Sequence, residues 1–256
     1  MAGASSLLES PLVPKPGAGR IFRSQRTIRL ADVAVDGRLR LDAMARYMQD
    51  VASDDVVDAG AEEELLTWVV RRTVIDVERQ FGADRSASLS TWASGSGSHW
   101  AARRTSIAGD AGGHVEAESI WVLINQATSR PARLPATFDH LYAASGLGRI
   151  VSARLELVPE PAVGAIRVRW PIRVSDLDTL GHANNAVYWA AIESALGTGP
   201  HGAAIGGRLR GVLEHRRPLD LTSDLELAIA GDRSETAVWF VDGGATAAAA
   251  VIRRVD

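Results

Sequence analysis

No cysteine occurs in the 256 residues, which excludes disulfides, cysteine nucleophiles and thiolate metal sites. The absence fits a reducing compartment, and a cytoplasmic location is expected. No apolar run approaches the roughly 20 residues that span a bilayer, so no membrane span is expected. Residues 1–20 lack a basic stretch followed by an apolar one and do not read as a secretory signal. With three prolines, three glycines and three serines, they predict a disordered N-terminal arm. There is no basic excess either: the net charge is −3, which argues against nucleic acid as a partner. Lys15 is the only lysine among 28 basic residues, a bias that GC-rich coding favours. No Gly-x-Ser-x-Gly elbow is present, and Ser94-Gly-Ser-Gly-Ser98 lacks the lysine and helix of a phosphate-binding loop and reads as a flexible turn. His99, His114, His140 and His201 show no metal-ligand spacing with neighbouring acids, so no metal is expected.

What is present is one pattern, twice. In the first half Arg26–Leu30 reads as a strand. Leu41, Met44, Ala45, Met48, Val51, Ala52, Val56 and Ala59 then fall at the spacing of a buried helical stripe, with Gly60 as its stop. Strand-like segments follow at 68–77, 87–92, 100–107 and 115–124. In the second half Ile166–Val174 alternates as a half-buried strand does, and a helix is expected from about Asn184 to Leu196. Strands are expected at 209–216, 224–229, 236–241 and 246–253. An ungapped overlay pairs Ile75–Arg79 with Leu213–Arg217 and Ser88–Ser90 with Glu226–Ala228. Residues 129–164, rich in proline, read as a connector with some structure of its own, including a helical turn at Phe138–Tyr142. One helix followed by antiparallel strands, repeated, predicts an α+β fold: each sheet wraps a central helix, and the two join edge to edge. The expected organisation is an arm at 1–20, a first unit at 21–128, the connector, and a second unit at 165–256.

The segment richest in chemistry is Ser175–Asn185. Asp176 and Asp178 precede Gly181, His182 and the start of a helix at Asn184-Asn185. A carboxylate is thereby set beside the unpaired N–H groups of a helix N-terminus. A base next to an oxyanion-stabilising site is what acyl transfer to water needs. Asp178 is the candidate base or nucleophile, with a helix cap as its ordinary alternative, while Asp176 reads as structural. His182 is a candidate catalytic partner. Asn184 and Asn185 are candidates for capping or for holding substrate.

The order of elements, with Asp176-Leu-Asp178, Thr179-Leu180 and Gly181-His-Ala-Asn-Asn185, resembles the acyl-ACP thioesterase family of double hotdog proteins. That resemblance implies two tandem hotdog units in one continuous sheet. It implies hydrolysis of fatty acyl thioesters, with acyl-ACP preferred over acyl-CoA and free fatty acid released. The implied partner is acyl carrier protein bearing acyl-phosphopantetheine, no cofactor is implied, and a homodimer is allowed. Catalysis would fall to Asp178 and His182. Gly181, Asn184, Asn185 and, as an acyl-tunnel residue, Trp68 would hold substrate. Two departures stand out. The family's asparagine between the second Asp and the His is Leu180 here, and the Glu-Cys pair after an Arg-Arg doublet is Pro218-Leu219, with Glu214 and Asp220 as nearby acids. The doublets Arg71-Arg72, Arg103-Arg104, Arg216-Arg217 and Arg253-Arg254 are candidate contacts for an acidic carrier. The alternatives are a hotdog hydratase or dehydratase acting on 3-hydroxyacyl or enoyl thioesters, and a non-catalytic acyl-thioester-binding protein.

Overall fold

In chain order the computed structural model, which describes residues 2–62, 65–198 and 205–255, runs α1 (Ala2–Glu9), β1 (Phe22–Thr27), α2 (Leu41–Asp58), β2 (Leu66–Arg79), β3 (Ser86–Ser96), β4 (Trp100–Gly109) and β5 (His114–Asn125). It continues with β6 (Arg130–Pro131), α3 (Ala136–Gly146), β7 (Ile166–Arg169), α4 (Asn185–Thr198), β8 (Leu209–His215), β9 (Leu225–Gly231), β10 (Glu235–Asp242) and β11 (Ala245–Arg254). His201 lies outside the described residues.

All eleven strands form one antiparallel sheet in the order β1-β3-β4-β5-β2-β8-β11-β10-β9-β7, with β6 on β5. Counted outward from the centre, β2-β5-β4-β3-β1 and β8-β11-β10-β9-β7 are the same arrangement of strands in chain order. The halves join through β2 and β8, where Val74 lies opposite Val212. Each central strand would otherwise be an unpaired edge, so the junction removes two edges at once. The fold is thus the double hotdog expected: two helix-and-sheet units in one open sheet.

Both helices pack on one face of the sheet and against each other. The stripe Leu41, Met44, Met48 and Val51 of α2 is buried there. The residues of α4 are apolar almost all round, as befits a helix enclosed by protein. Trp189 of α4 is fully buried and lies on Gly211 of β8, where a Cβ would come within 3.0 Å of the indole. The sequence overlay keeps faces in register: Ile75, Leu213, Leu89 and Leu227 all belong to the core on the helix side.

The outer face carries a second core. Leu8, Leu157, Val74, Val212, Trp239 and Val251 cluster there. This corrects the expectation of a disordered arm. Leu8 is buried, and the carbonyls of Ser10 and Val13 accept hydrogen bonds from the Arg210 and Arg104 guanidiniums. The connector runs over the same face, with the Val158 carbonyl accepting the Trp239 indole N–H at 2.9 Å. Its helix, α3, contains the helical turn expected at 138–142.

Three local expectations change. The first strand runs over 22–27 rather than 26–30, because Leu30–Asp32 coil into a 3-10 turn. The alternating segment 166–174 is a strand only to Arg169, exposed throughout at the sheet's edge. Beyond it Trp170 and Ile172 pack on the core before a second 3-10 turn, Val174–Asp176. Residues 94–96 of the Ser-Gly segment finish β3 rather than forming a turn, with a register shift between Ala93 and Gly95.

Candidate active site

The Asp-rich segment folds as a tight turn on to the end of α4. Asp176 is buried, accepts the Arg173 N–H at 2.9 Å and pairs with the Arg173 guanidinium, so its role is structural. The chain then doubles back. Asp178 N–H donates to the His182 carbonyl at 2.8 Å, Gly181 N–H to the Asp178 carbonyl at 3.0 Å, and Asn184 N–H to the Asp176 carbonyl at 2.8 Å. Gly181 has φ +76°, a left-handed conformation that glycine adopts without strain. Asp178 Oδ1 accepts the Leu180 N–H at 2.9 Å and the His182 N–H at 3.2 Å. Both bonds fix the carboxylate through one oxygen.

Asn184 is the helix cap, its Oδ1 accepting the Ala186 N–H at 3.0 Å. Asn185 instead reaches across to α2, donating from Nδ2 to Gln49 Oε1 at 3.3 Å.

Beside this turn opens a cavity of about 490 Å³. Its near wall is Asp178, Thr179, Leu180 and Asn185 from the second unit. Its other walls come from the first unit and connector, among them Gln49, Ser53, Trp68, Trp121, Phe138 and Tyr142. The volume lies within the range of small-molecule sites. Trp68 leans on Phe138, ring centroids 6.1 Å apart. The wall is not uniformly apolar. Arg103 also lines it, bonded at 2.6 Å to the fully buried Asp55, which accepts the Tyr142 hydroxyl at 3.0 Å and Arg20 at 2.7 Å.

Of the residues expected at the site, Asp178, Asn185 and Trp68 border this cavity. Gly181 shapes the turn, Asn184 caps the helix, and His182 is linked to Asp178 through its backbone rather than its ring. The acid near His182 is Asp220. Its carboxyl is held below the usual range mainly by the Thr222 hydroxyl and N–H, and in part by His182. Glu214 has no such place: it is buried on the outer face, paired with Arg72 at 2.9 Å and accepting the Glu156 and Leu157 N–H groups. Gln49, Ser53 and Tyr142 were not singled out as site residues in the sequence, and Arg103 was expected to face a carrier rather than this cavity. The arginine doublets are largely spent inside the fold, since Arg72, Arg103, Arg104, Arg217 and Arg253 each pair with a carboxylate of the chain.

Residues 19–142 match the acyl-ACP thioesterase N-terminal domain and residues 161–238 its C-terminal domain. The chain belongs to the acyl-ACP thioesterase family. An uncharacterized protein of Mycobacterium tuberculosis is 30% identical over 95% of this chain and 96% of its own length. A chloroplastic acyl-[acyl-carrier-protein] hydrolase of Cuphea viscosissima is 25% identical over 66% of this chain and 46% of its own. Among solved structures, a 12:0-ACP thioesterase from Umbellularia californica superposes with TM-score 0.75 at 23% identity, covering 91% of this chain and 96% of that one. An acyl-ACP thioesterase from Bacteroides thetaiotaomicron gives 0.74 at 19%, covering 91% and 97%. These two share the fold. As a member of the acyl-ACP thioesterase family the protein is a thioester hydrolase acting on fatty acyl thioesters. The family's asparagine position is Leu180, on the cavity wall, and its Glu-Cys position is the exposed Pro218 and buried Leu219.

Proposed function

We propose that this protein hydrolyses acyl-ACP in preference to acyl-CoA and releases the free fatty acid, with Asp178 as the catalytic carboxylate. The observation that carries the reading is the meeting of Asp178, the start of α4 and the cavity at one place. The acyl chain lies against Trp68 and Phe138, and the thioester carbonyl faces the Asn185 N–H at the start of α4, whose positive end stabilises the oxyanion as it develops. Asp178 then takes a proton from water as the water oxygen adds to the carbonyl carbon, or adds directly to give a mixed anhydride that water opens. In either route the C–S bond breaks and the pantetheine sulfur leaves as thiol. His182 holds the turn that carries Asp178 through its backbone, its N–H donating to Asp178 Oδ1 and its carbonyl accepting the Asp178 N–H.

The test is free-thiol release from a panel of acyl-ACPs and acyl-CoAs by the wild type and Asp178→Asn. The wild type is expected to release thiol faster from acyl-ACP, and the folded variant to be slower by about two to four orders of magnitude. A folded Asp178→Asn with most of the activity removes Asp178 from this role. Equal rates on both carriers remove the carrier preference.

A further inference from the structure

The turn that carries Asp178 has a structural twin in the first unit. Asp32 accepts the Arg29 N–H at 2.9 Å as Asp176 accepts that of Arg173. Ala34 N–H donates to the Arg38 carbonyl and Gly37 N–H to that of Ala34, as Asp178 and Gly181 do in the other turn. Gly37 has φ +84° against +76° at Gly181, and the bridge Val33–Leu39 matches Leu177–Ala183. The same interval separates every pair. It sets Ala34 against Asp178, Arg38 against His182, the helix starts Leu41 and Asn185 against each other, and Gln49 of α2 against Glu193 of α4.

The two helix ends differ in what reaches them from the opposite helix. At the start of α2, Glu193 accepts the Leu41 N–H at 2.7 Å and pairs with Arg38 at 2.6 Å, both side chains being largely buried. A carboxylate therefore occupies the positive end of that helix and a cation neutralises it. At the start of α4 the equivalent reach is made by a carboxamide. Gln49 carries no charge, its oxygen is taken by Asn185 Nδ2, and it borders the cavity together with Asp178 and Asn185. A bond to Oε1 leaves the two Nε2 hydrogens free to donate.

We propose that Gln49 is a substrate-contacting residue of the site: its uncharged carboxamide leaves the α4 helix end open for the thioester carbonyl and donates to that oxygen from Nε2. Glutamate at this position would fill the helix end as Glu193 fills the other and shut the site. This rests on the reading that the thioester is cleaved at the start of α4.

The experiment compares wild type, Gln49→Ala and Gln49→Glu in three measurements. These are acyl-ACP hydrolysis, binding of an acyl-pantetheine analogue with NH in place of the thioester sulfur, and melting temperature. Gln49→Ala is expected to lose about a hundredfold in kcat, as removal of one oxyanion donor does. Gln49→Glu is expected to lose more, to bind the amide analogue at least tenfold more weakly, and to melt no lower than wild type. Wild-type kcat and analogue binding in Gln49→Glu would overturn the proposal, and so would equal losses in both variants accompanied by lowered melting. If the wild type cleaves no thioester, the parent reading fails, and the analogue decides the role of Gln49. Binding weakened in Gln49→Ala and weakened further in Gln49→Glu upholds contact with the acyl carbonyl, whereas a loss confined to Gln49→Glu, equal binding by all three, or none by the wild type, ends it.

Discussion

Lowering the pH from 7.5 to 5 should destabilise this protein through one histidine in particular. His215 ends β8 with its ring against the edge of Tyr188, centroids 4.6 Å apart at 81°, and Tyr188 in turn meets Phe240 at 5.0 Å. Although the residue keeps some exposed surface, Nε2 is shut off from solvent and has no hydrogen-bond partner. Burial in this aromatic cluster, with a smaller push from the Arg71 guanidinium, lowers its pKa to about 3. An unfolded chain returns it to the ordinary value of about 6.5. Between these values the unfolded state binds a proton that the folded state refuses, so stability falls as pH drops below 6.5 and continues to fall towards 3. Above 6.5 both states are neutral and the residue contributes no slope. At about 1.4 kcal/mol per pH unit, the loss at pH 5 is about 2 kcal/mol. The assay is urea unfolding at pH 7.5 and pH 5 of wild type and His215→Phe, which keeps the ring contact and removes the titrating group. Every other titration is common to the two proteins and cancels in the comparison. His215→Phe should retain about 2 kcal/mol more of its stability at pH 5 than the wild type. Parallel pH dependence in the two proteins would refute the assignment, as would a nuclear magnetic resonance titration of the His215 ring near 6.5.

Two further substitutions test the packing. Gly211→Ala should cost about 1–3 kcal/mol in urea unfolding, because a Cβ there meets Ile252 at 2.7 Å and Trp189 at 3.0 Å, and α4 has to shift off the sheet. Glu193→Gln should cost about 1 kcal/mol, a few degrees in melting temperature, since it removes the charge that holds Arg38 and the α2 N-terminus. Thiol release by that variant should stay close to the wild-type rate, because the affected helix end is not the one beside Asp178.

The elements were legible wherever a local pattern decided them. The stripe from Leu41 marks α2 because the same side chains that define the period are those that meet the sheet, and the β-branched runs mark β2 and β5 for the same reason. Errors came where the deciding partner is distant in sequence. Residues 1–20 look unstructured by composition, yet Arg104 and Arg210 hold their carbonyls on the outer face. The alternation at 166–174 reports that Trp170 and Ile172 touch the core, but a strand needs ladder partners too, and this edge has them only to Arg169. At the site, Asp178 was readable because its whole turn is contiguous. Gln49, Arg103 and Tyr142 were not, because they reach the cavity from α2, β4 and α3, and nothing in their own neighbourhoods points there.

A relation between the two turns was nonetheless present in the sequence, as an interval rather than a motif. Positions that the backbone demands are alike in both: Arg29 and Arg173, Asp32 and Asp176, Gly37 and Gly181. Each is required to bend the chain on to a helix, through the bond from the residue before the 3-10 turn and the left-handed glycine. Positions that face the helix ends have diverged. Alanine stands for aspartate at 34 and 178, arginine for histidine at 38 and 182, and the carboxylate of Glu193 for the amide of Gln49. A turn can lose its acid without losing its fold, because the two backbone bonds that close it, from the Asp178 N–H to the His182 carbonyl and from the Gly181 N–H to the Asp178 carbonyl, both recur at Ala34. The pattern of what is kept and what is changed therefore separates folding from chemistry within one chain. The positions that differ are those the proposed chemistry uses at the start of α4, which, among the described residues, no carboxylate from the opposite helix fills.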